Sequence, residues 1–349
     1  SSDVCSSDLA IVFLCSRLWA SPAKPKVAVS SATFVGLNPS IEQSKKQLAA
    51  ELDAVETTSS PETDKAIALF LKQRKEPYFV AAKNGLIRFS FPAQISIGTL
   101  ETIGPGVQAQ HEAKGDFQWR TGRGIFFSAN EITRTHPDLL RFFSYGSLQA
   151  LRFVGGEPGS TAPLDCILRQ PNLLILDLSG IPLSDGDFKV IAGLKKLRNL
   201  QISSSNISQR ALFASKLLGR LEAVGLIGLQ NCTPVLEALV PSQKLKSLTL
   251  TSANLTKSDF GIIAKMSGLQ SLDLGGTKLD DSDLKRLTKL KQIRYLNLFG
   301  TQITPKSVPT LHQFLSLSLV VLSPEVDAAY FGTMQPLPKK ELRNHNSAF

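Results

Sequence analysis

The chain is predicted to be an α/β solenoid, a stack of short parallel strands each followed by a helix. Three observations carry this. Seven apolar-x-apolar triplets recur at Leu176/Leu178, Leu200/Ile202, Val224/Leu226, Leu248/Leu250, Leu272/Leu274, Leu296/Leu298 and Val320/Leu322, each 24 residues after the last. A second register keeps that step through Phe188, Leu212, Leu236, Phe260, Leu284 and Val308. A third runs through Ile191, Ser215, Leu239, Ile263, Leu287 and Leu311. Self-similarity at a fixed period outranks local propensity. No single unit can bury its own apolar side, and stacking buries all of them in one core.

Each unit opens on its triplet, a strand by alternation. A polar or Gly turn follows, as in Gly275-Gly276-Thr277, and then an acidic or Ser/Thr cluster such as Asp280-Asp281-Ser282-Asp283. Leu284, Leu287 and Leu290 then share one helical face. Asp259 and Asp283 stand where an N-cap carboxylate would satisfy free helix N–H groups.

The stretches 269–293 (LQSLDLGGTKLDDSDLKRLTKLKQI) and 293–314 (IRYLNLFGTQITPKSVPTLHQF) carry an L-x-x-L-x-L signature. In this the chain resembles the leucine-rich repeat family. The family's usual turn Asn is replaced by Ile181, Ser205, Leu229, Ala253, Thr277 and Thr301. The Gly-Thr-x-Ile/Leu form is similar to 24-residue repeats of secreted bacterial members. The resemblance implies a right-handed horseshoe or arc, with a parallel sheet on the concave side and helices on the convex side; rung starts near 87, 125 and 151, then regular ones from 176, make about ten rungs. It implies protein–protein interaction rather than catalysis.

The ends need separate treatment. Residues 1–9, SSDVCSSDL, resemble a translated sequencing adapter, so no chemistry is drawn from Cys5. Ala10–Cys15 is a short apolar run and Ala20–Ala23 offers small residues for cleavage, which reads as the remnant of a secretory signal. The run is too short to span a bilayer. A lipoprotein role for Cys15 and a meaningless frayed terminus are the alternatives. The predicted organisation is 1–23 adapter and signal remnant, and 24–61 linker and polar helix. Next come 62–124 (N-terminal cap, first rung and insert loop), 125–323 (repeats) and 324–349 (C-terminal cap and tail). Glu62–Lys75 reads as a helix ended by Pro77. Lys83-Asn84-Gly85 between two β-prone runs reads as a hairpin turn. This helix–strand–turn–strand arrangement resembles the N-terminal entry of the same family, which implies a helix-and-hairpin cap with the second strand, Leu86–Phe91, as the first rung. The period then slips by twelve residues, and the excess, 104–124 with His111, Trp119, Arg120 and Arg123, is expected to loop out.

Chemistry is sparse. No phosphate loop, H-E-x-x-H, C-x-x-C or G-x-S-x-G occurs. His111-Glu112 is read as a solvated loop pair, and Asp280, Asp281 and Asp283 as helix-end residues rather than a cation site. Cys166 and Cys232 lie about three rungs apart, at roughly 4.8 Å per rung. That is beyond disulfide reach, so both read as buried hydrophobes. The sequons at Asn206, Asn231 and Asn254 are read as turns. No catalytic, cofactor or metal residue is assigned.

The net charge of +10 invites a nucleic-acid reading. The cations Lys195, Lys196, Arg198, Lys244, Lys246, Lys285, Arg286, Lys289, Lys291 and Arg294 instead gather at helix C-terminal halves, where they complement the helix dipole. No aromatic residues interleave with them, so nucleic acid is not expected. Strand alternation points the x residues outward. The outward face therefore offers Asp177, Gln201, Thr249, Thr251, Asp273, Tyr295, Asn297 and Phe299 to a partner, with Tyr295 and Phe299 as aromatic anchors. Packing of Phe299 under a C-terminal cap is the alternative. The reading is an exported, non-enzymatic repeat protein, secreted, periplasmic or on the cell surface, binding a protein through this face. The rivals are a binder of carbohydrate or an acidic envelope polymer through the basic flank, and a fragment of a larger enzyme or sensor using the insert.

Overall fold

The computed structural model describes residues 60–81, 86–103, 109–120, 124–155, 163–203 and 207–332. The adapter, leader, linker, polar helix, Asn84-Gly85 turn and C-terminal tail lie outside the described residues.

The periodic stretch forms the expected strands and helices. The strands are β7 (Ala150–Arg152), β8 (Ile175–Leu178), β9 (Asn199–Ser203), β10 (Ala223–Ile227), β11 (Ser247–Thr249), β12 (Ser271–Asp273), β13 (Tyr295–Asn297) and β14 (Leu319–Val321). Together with β6 (Gly124–Ala129) they pair in parallel, each with its sequence neighbours. From β8 to β14 the register joins residues 24 apart, as in Leu248↔Leu272 and Leu272↔Leu296. All fourteen triplet residues are at most 4% exposed. The second register is buried throughout, from Phe188 to Val308. The helical row breaks at Ser215, whose hydroxyl turns back to the Leu212 carbonyl at 3.0 Å.

Between strands run short helices: α2 (Glu131–Thr135), α3 (Leu164–Leu168), α4 (Asp185–Ala192), α5 (Gln209–Ala214), α6 (Thr233–Leu239), α7 (Lys257–Ile263), α8 (Asp281–Leu287) and α9 (Val308–Leu311). The N-caps of two of them lie three residues before the carboxylates expected in that role. Asp259 and Asp283 are not N-caps. Thr256 and Asp280 are, and the acids sit at the third helical position. There Asp187 and Asp259 return hydrogen bonds to the caps Ser184 and Thr256, completing capping boxes.

Two further expectations are corrected at the N-terminal end. Helix α1 (Pro61–Gln73), capped by Ser60, forms as expected, and β1 (Phe79–Ala81) pairs antiparallel with β2 (Leu86–Ser90). However, β2 is not the first rung. It is the middle strand of a separate sheet β1-β2-β5, completed by β5 (Asp116–Arg120). The insert does not loop out as a whole. It supplies β5 and β4 (Gln110–Glu112), which forms a hairpin with the preceding β3 (Gly98–Ile103), itself antiparallel along β6. The described residues thus hold nine parallel rungs. The reason is aromatic. Phe89 stacks on Phe117 at 4.8 Å and meets Trp119 edge-on at 5.2 Å. Tyr78, Phe91, Phe127 and Phe143 join the same cluster and close the end of the core. Gly98, at φ 144°, lies so close to β6 that a Cβ would stand 2.2 Å from the Ser128 carbonyl oxygen. At the far end α10 (Pro324–Gly332) buries Val326 and Tyr330. The arrangement brings every β8–β13 strand start, and every preceding helix end, to one edge.

Candidate sheet-face interface

The outward central row is Arg152, Asp177, Gln201, Gly225, Thr249, Asp273 and Asn297, aligned by strand pairing. Its acids are not freely displayed. Asp177 is 3% and Asp273 is 7% exposed, because neighbouring strands' side chains cover them. Asp177 Oδ1 accepts from the Ser179 N–H at 3.0 Å and hydroxyl at 2.7 Å, while Oδ2 takes the Arg152 guanidinium at 3.3 Å. Asp273 Oδ1 accepts from the Gly275 N–H at 2.9 Å and from Thr251 Oγ1 at 3.1 Å. Its Oδ2 accepts from Asn297 Nδ2 at 3.0 Å, and Asn297 Oδ1 accepts from the Phe299 N–H at 3.0 Å. In all three strands the row residue binds the N–H two positions on, the Asx-turn geometry that bends the chain out of the strand.

The predicted residues separate into two groups. Thr249, Thr251, Asp273, Tyr295, Asn297 and Phe299 lie together on β11–β13 and their turns. Asp177 and Gln201 lie on β8 and β9, with Asp177 four strands from Asp273, on the order of 19 Å. Phe299 is 47% exposed, so the C-terminal helix does not bury it. Tyr295 is half-buried.

Three features escaped sequence reasoning. Arg152, on the same row, clamps Asp177 and lies 5.6 Å from the Phe126 ring centre. Extending the row back one rung would have found it. Gln201 lies across Gly225, where a Cβ would come within 2.8 Å of its Cγ. Ala223, Gly225, Ser247 and Thr249 line a shallow depression beside it. Asn199 Nδ2 and Ser271 Oγ, on the adjacent row, are buried with no hydrogen-bond partner among the described residues. No pattern in the sequence marks them.

The remaining candidates resolve into structure. His111 stacks on Phe117 at 3.7 Å and its Nδ1 lies 2.6 Å from the Glu112 carbonyl. Asp280 accepts from the Ser282 hydroxyl at 2.6 Å and the Asp283 N–H at 2.9 Å. Asp281 reaches the next rung, accepting from the Thr304 N–H at 2.8 Å and hydroxyl at 2.7 Å. Asp185 does the same to Ser208. Cys166 and Cys232 are unpaired and buried, and burial pushes their thiols up to about 12 and about 11. Among the described residues no group of His, Cys, Asp or Glu is placed to hold a metal, and no helix is long and apolar enough to cross a membrane.

Strands of one direction at a constant step, each followed by a helix and a turn that bonds to the next rung, define a leucine-rich-repeat solenoid. The leucine rich repeat family model matches residues 243–303, which hold β11 to β13. Among solved structures the chain is similar to an internalin (inlF) of Listeria monocytogenes, at 15% identity over 50% of this chain and 61% of that one, TM-score 0.32. Internalin C2 (inlC2) of the same species is 21% identical over 53% of this chain and 75% of that one, TM-score 0.36. Human 5T4 (Wnt-activated inhibitory factor 1, trophoblast glycoprotein) is 20% identical over 51% and 71%, TM-score 0.38. The chain thus spans about three-fifths of the first internalin structure. No curated protein matches it.

Proposed function

We propose that the chain is a non-enzymatic scaffold that holds a protein partner against the outward face of β11–β13. Phe299 and Tyr295 are the anchors, and Thr249, Thr251, Asp273 and Asn297 form the polar surround. Asp177 and Gln201 meet the partner only if it extends to β8 and β9. The observation that carries the reading is Phe299, 47% exposed beside a polar lattice already hydrogen-bonded within itself. An aromatic ring framed by groups that need no rearrangement makes an efficient binding anchor. The apolar run at 10–15 and the small residues after it support an exported setting, secreted, periplasmic or at the cell surface.

The test is retention of a partner from a bacterial envelope fraction by the full chain, against a variant with Phe299→Ala and Tyr295→Ala. Loss of about thirtyfold in affinity is expected, the scale of an anchor worth about 2 kcal/mol. Equal retention by both proteins would move the interface elsewhere. Asp273→Lys is unsuitable, because Asp273 holds three hydrogen bonds that shape its own rung.

A further inference from the structure

The edge where helices end and strands begin carries more cations than the fold uses. Several are structural. Arg220 donates to the Ala192 and Leu194 carbonyls at 2.7 and 3.0 Å, tying one rung to the last. Arg198 donates to the Lys195, Lys196 and Leu197 carbonyls and meets Glu222 at 3.6 Å. Lys196 donates to Asn172 at 2.7 Å. By contrast Lys244, Lys246, Lys265, Lys289, Lys291 and Arg294 have no carboxylate within ion-pair distance among the described residues, and all but half-buried Lys246 are exposed.

These six lie on adjoining rungs. The Gln270 and Ser271 N–H groups donate to the Lys246 carbonyl, and those of Arg294 and Tyr295 donate to the Gln270 carbonyl, so Lys246, Gln270 and Arg294 stand in one file. At one strand spacing per rung, Lys246 and Arg294 are roughly 10 Å apart. Glu222 is the one acid in the corresponding segments 192–198, 216–222, 240–246, 264–270 and 288–294, and it is already paired. Cations spread over three neighbouring rungs, without paired acids, fit a linear polymer bearing negative charge at intervals.

We propose that this edge, along β11–β13, binds an acidic polysaccharide. The absence of aromatic side chains from these segments leaves bases nothing to stack on, which disfavours nucleic acid. Five of the six are lysines, compact hydrated charges that suit carboxylates recurring on a flexible chain better than a fixed bidentate contact. The site lies at the strand starts, beside the anchor Tyr295, whereas Phe299 follows a strand end.

The experiment is calorimetric titration of the full chain with polygalacturonate, with neutral dextran and a single-stranded DNA oligonucleotide as comparisons. Binding of polygalacturonate alone is expected, weakening about tenfold or more between about 50 and about 300 mM salt. Lys244→Gln with Lys291→Gln and Arg294→Gln should reduce it at least about fivefold, roughly 1 kcal/mol by affinity arithmetic. Arg210→Gln with Lys278→Gln and Lys306→Gln makes the same charge change at exposed positions on the opposite side of the rungs and should leave binding unchanged. Equal loss in both triples would reduce the effect to net charge and overturn the assignment. Tighter binding of the oligonucleotide, or no binding of polygalacturonate, would overturn it too.

Discussion

Ser252 has φ 56°, in the left-handed region, at the turn position where other rungs carry Gly228, Gly276 and Gly300 at φ 67°, 68° and 68°. Its N–H donates to the Gly275 carbonyl of the next rung, as that of Gly276 donates to Phe299, so the conformation is held by an inter-rung bond. The left-handed region costs an L-residue about 1–2 kcal/mol. Glycine's greater freedom in the unfolded chain returns about 0.4–1 kcal/mol of that. Ser252→Gly is therefore expected to stabilise the protein by about 0.5–1 kcal/mol, read as a higher urea midpoint at unchanged slope. A lower midpoint would show that the Ser252 side chain contributes more than its backbone costs. At this scale the core was legible in the sequence, because burial repeats with the period and every triplet residue is inside. The outward row was half legible. Alternation told which way Asp177 and Asp273 point. It could not tell that adjacent strands, one rung apart, would cover them and turn apparent binding residues into turn-makers.

At the scale of the element, the start of α8 is sensitive to acid through Asp280 and Asp281. The Ser282 hydroxyl and the Asp283 N–H, with Lys257 at 3.4 Å, hold the Asp280 carboxyl well below the usual carboxylate range against a small opposing burial effect. Asp281, although burial works against it, is also held low by Ser307 and Thr304. A carboxylate whose folded pKa is depressed contributes stability that is present above its unfolded value, about 3.9, and lost as pH falls below it. The urea midpoint of the wild type should accordingly drop between about pH 4 and pH 2. Asp280→Asn, which keeps a capping oxygen, should flatten part of that drop; parallel curves for the two proteins would remove Asp280 from the account. Elements were less legible than residues. Leu86–Ser90 has the alternation of a rung, and only its pairing with Asp116–Arg120, far along the chain, makes it part of the cap. Caps were misplaced by three residues because both Thr256 and Asp259, or Asp280 and Asp283, are capping types, and the reciprocal bonds decide which is which.

For the whole molecule, the constant register from β8 to β14 means that each rung rests mainly on its two neighbours, so stability is close to a sum over units and their interfaces. Deleting residues 248–271 removes one complete period and joins Ser247 to Leu272, recreating the Ser271–Leu272 junction. The shortened chain should fold cooperatively with the same far-ultraviolet circular dichroism shape and a smaller urea slope. Deleting 248–259, half a period, should abolish folding, since it sets helix residues against strands. Loss of folding in both would mean that the repeat is not the unit of stability. The repeats explain how the stack could lengthen; its ends explain why it stops. A sheet of parallel strands is a template at both faces of the stack, and one copy's last rung could in principle seed another's first, giving a fibre. Here the outermost strand at the N-terminal end of the described sheet is β4, reached through a hairpin that reverses strand direction, three residues long, wholly exposed and carrying Glu112. Short, charged, reversed edges are poor templates for a parallel partner. The stretch that looked like an interruption in the repeat therefore acts as its terminator, keeping a self-complementary stack from polymerising head to tail.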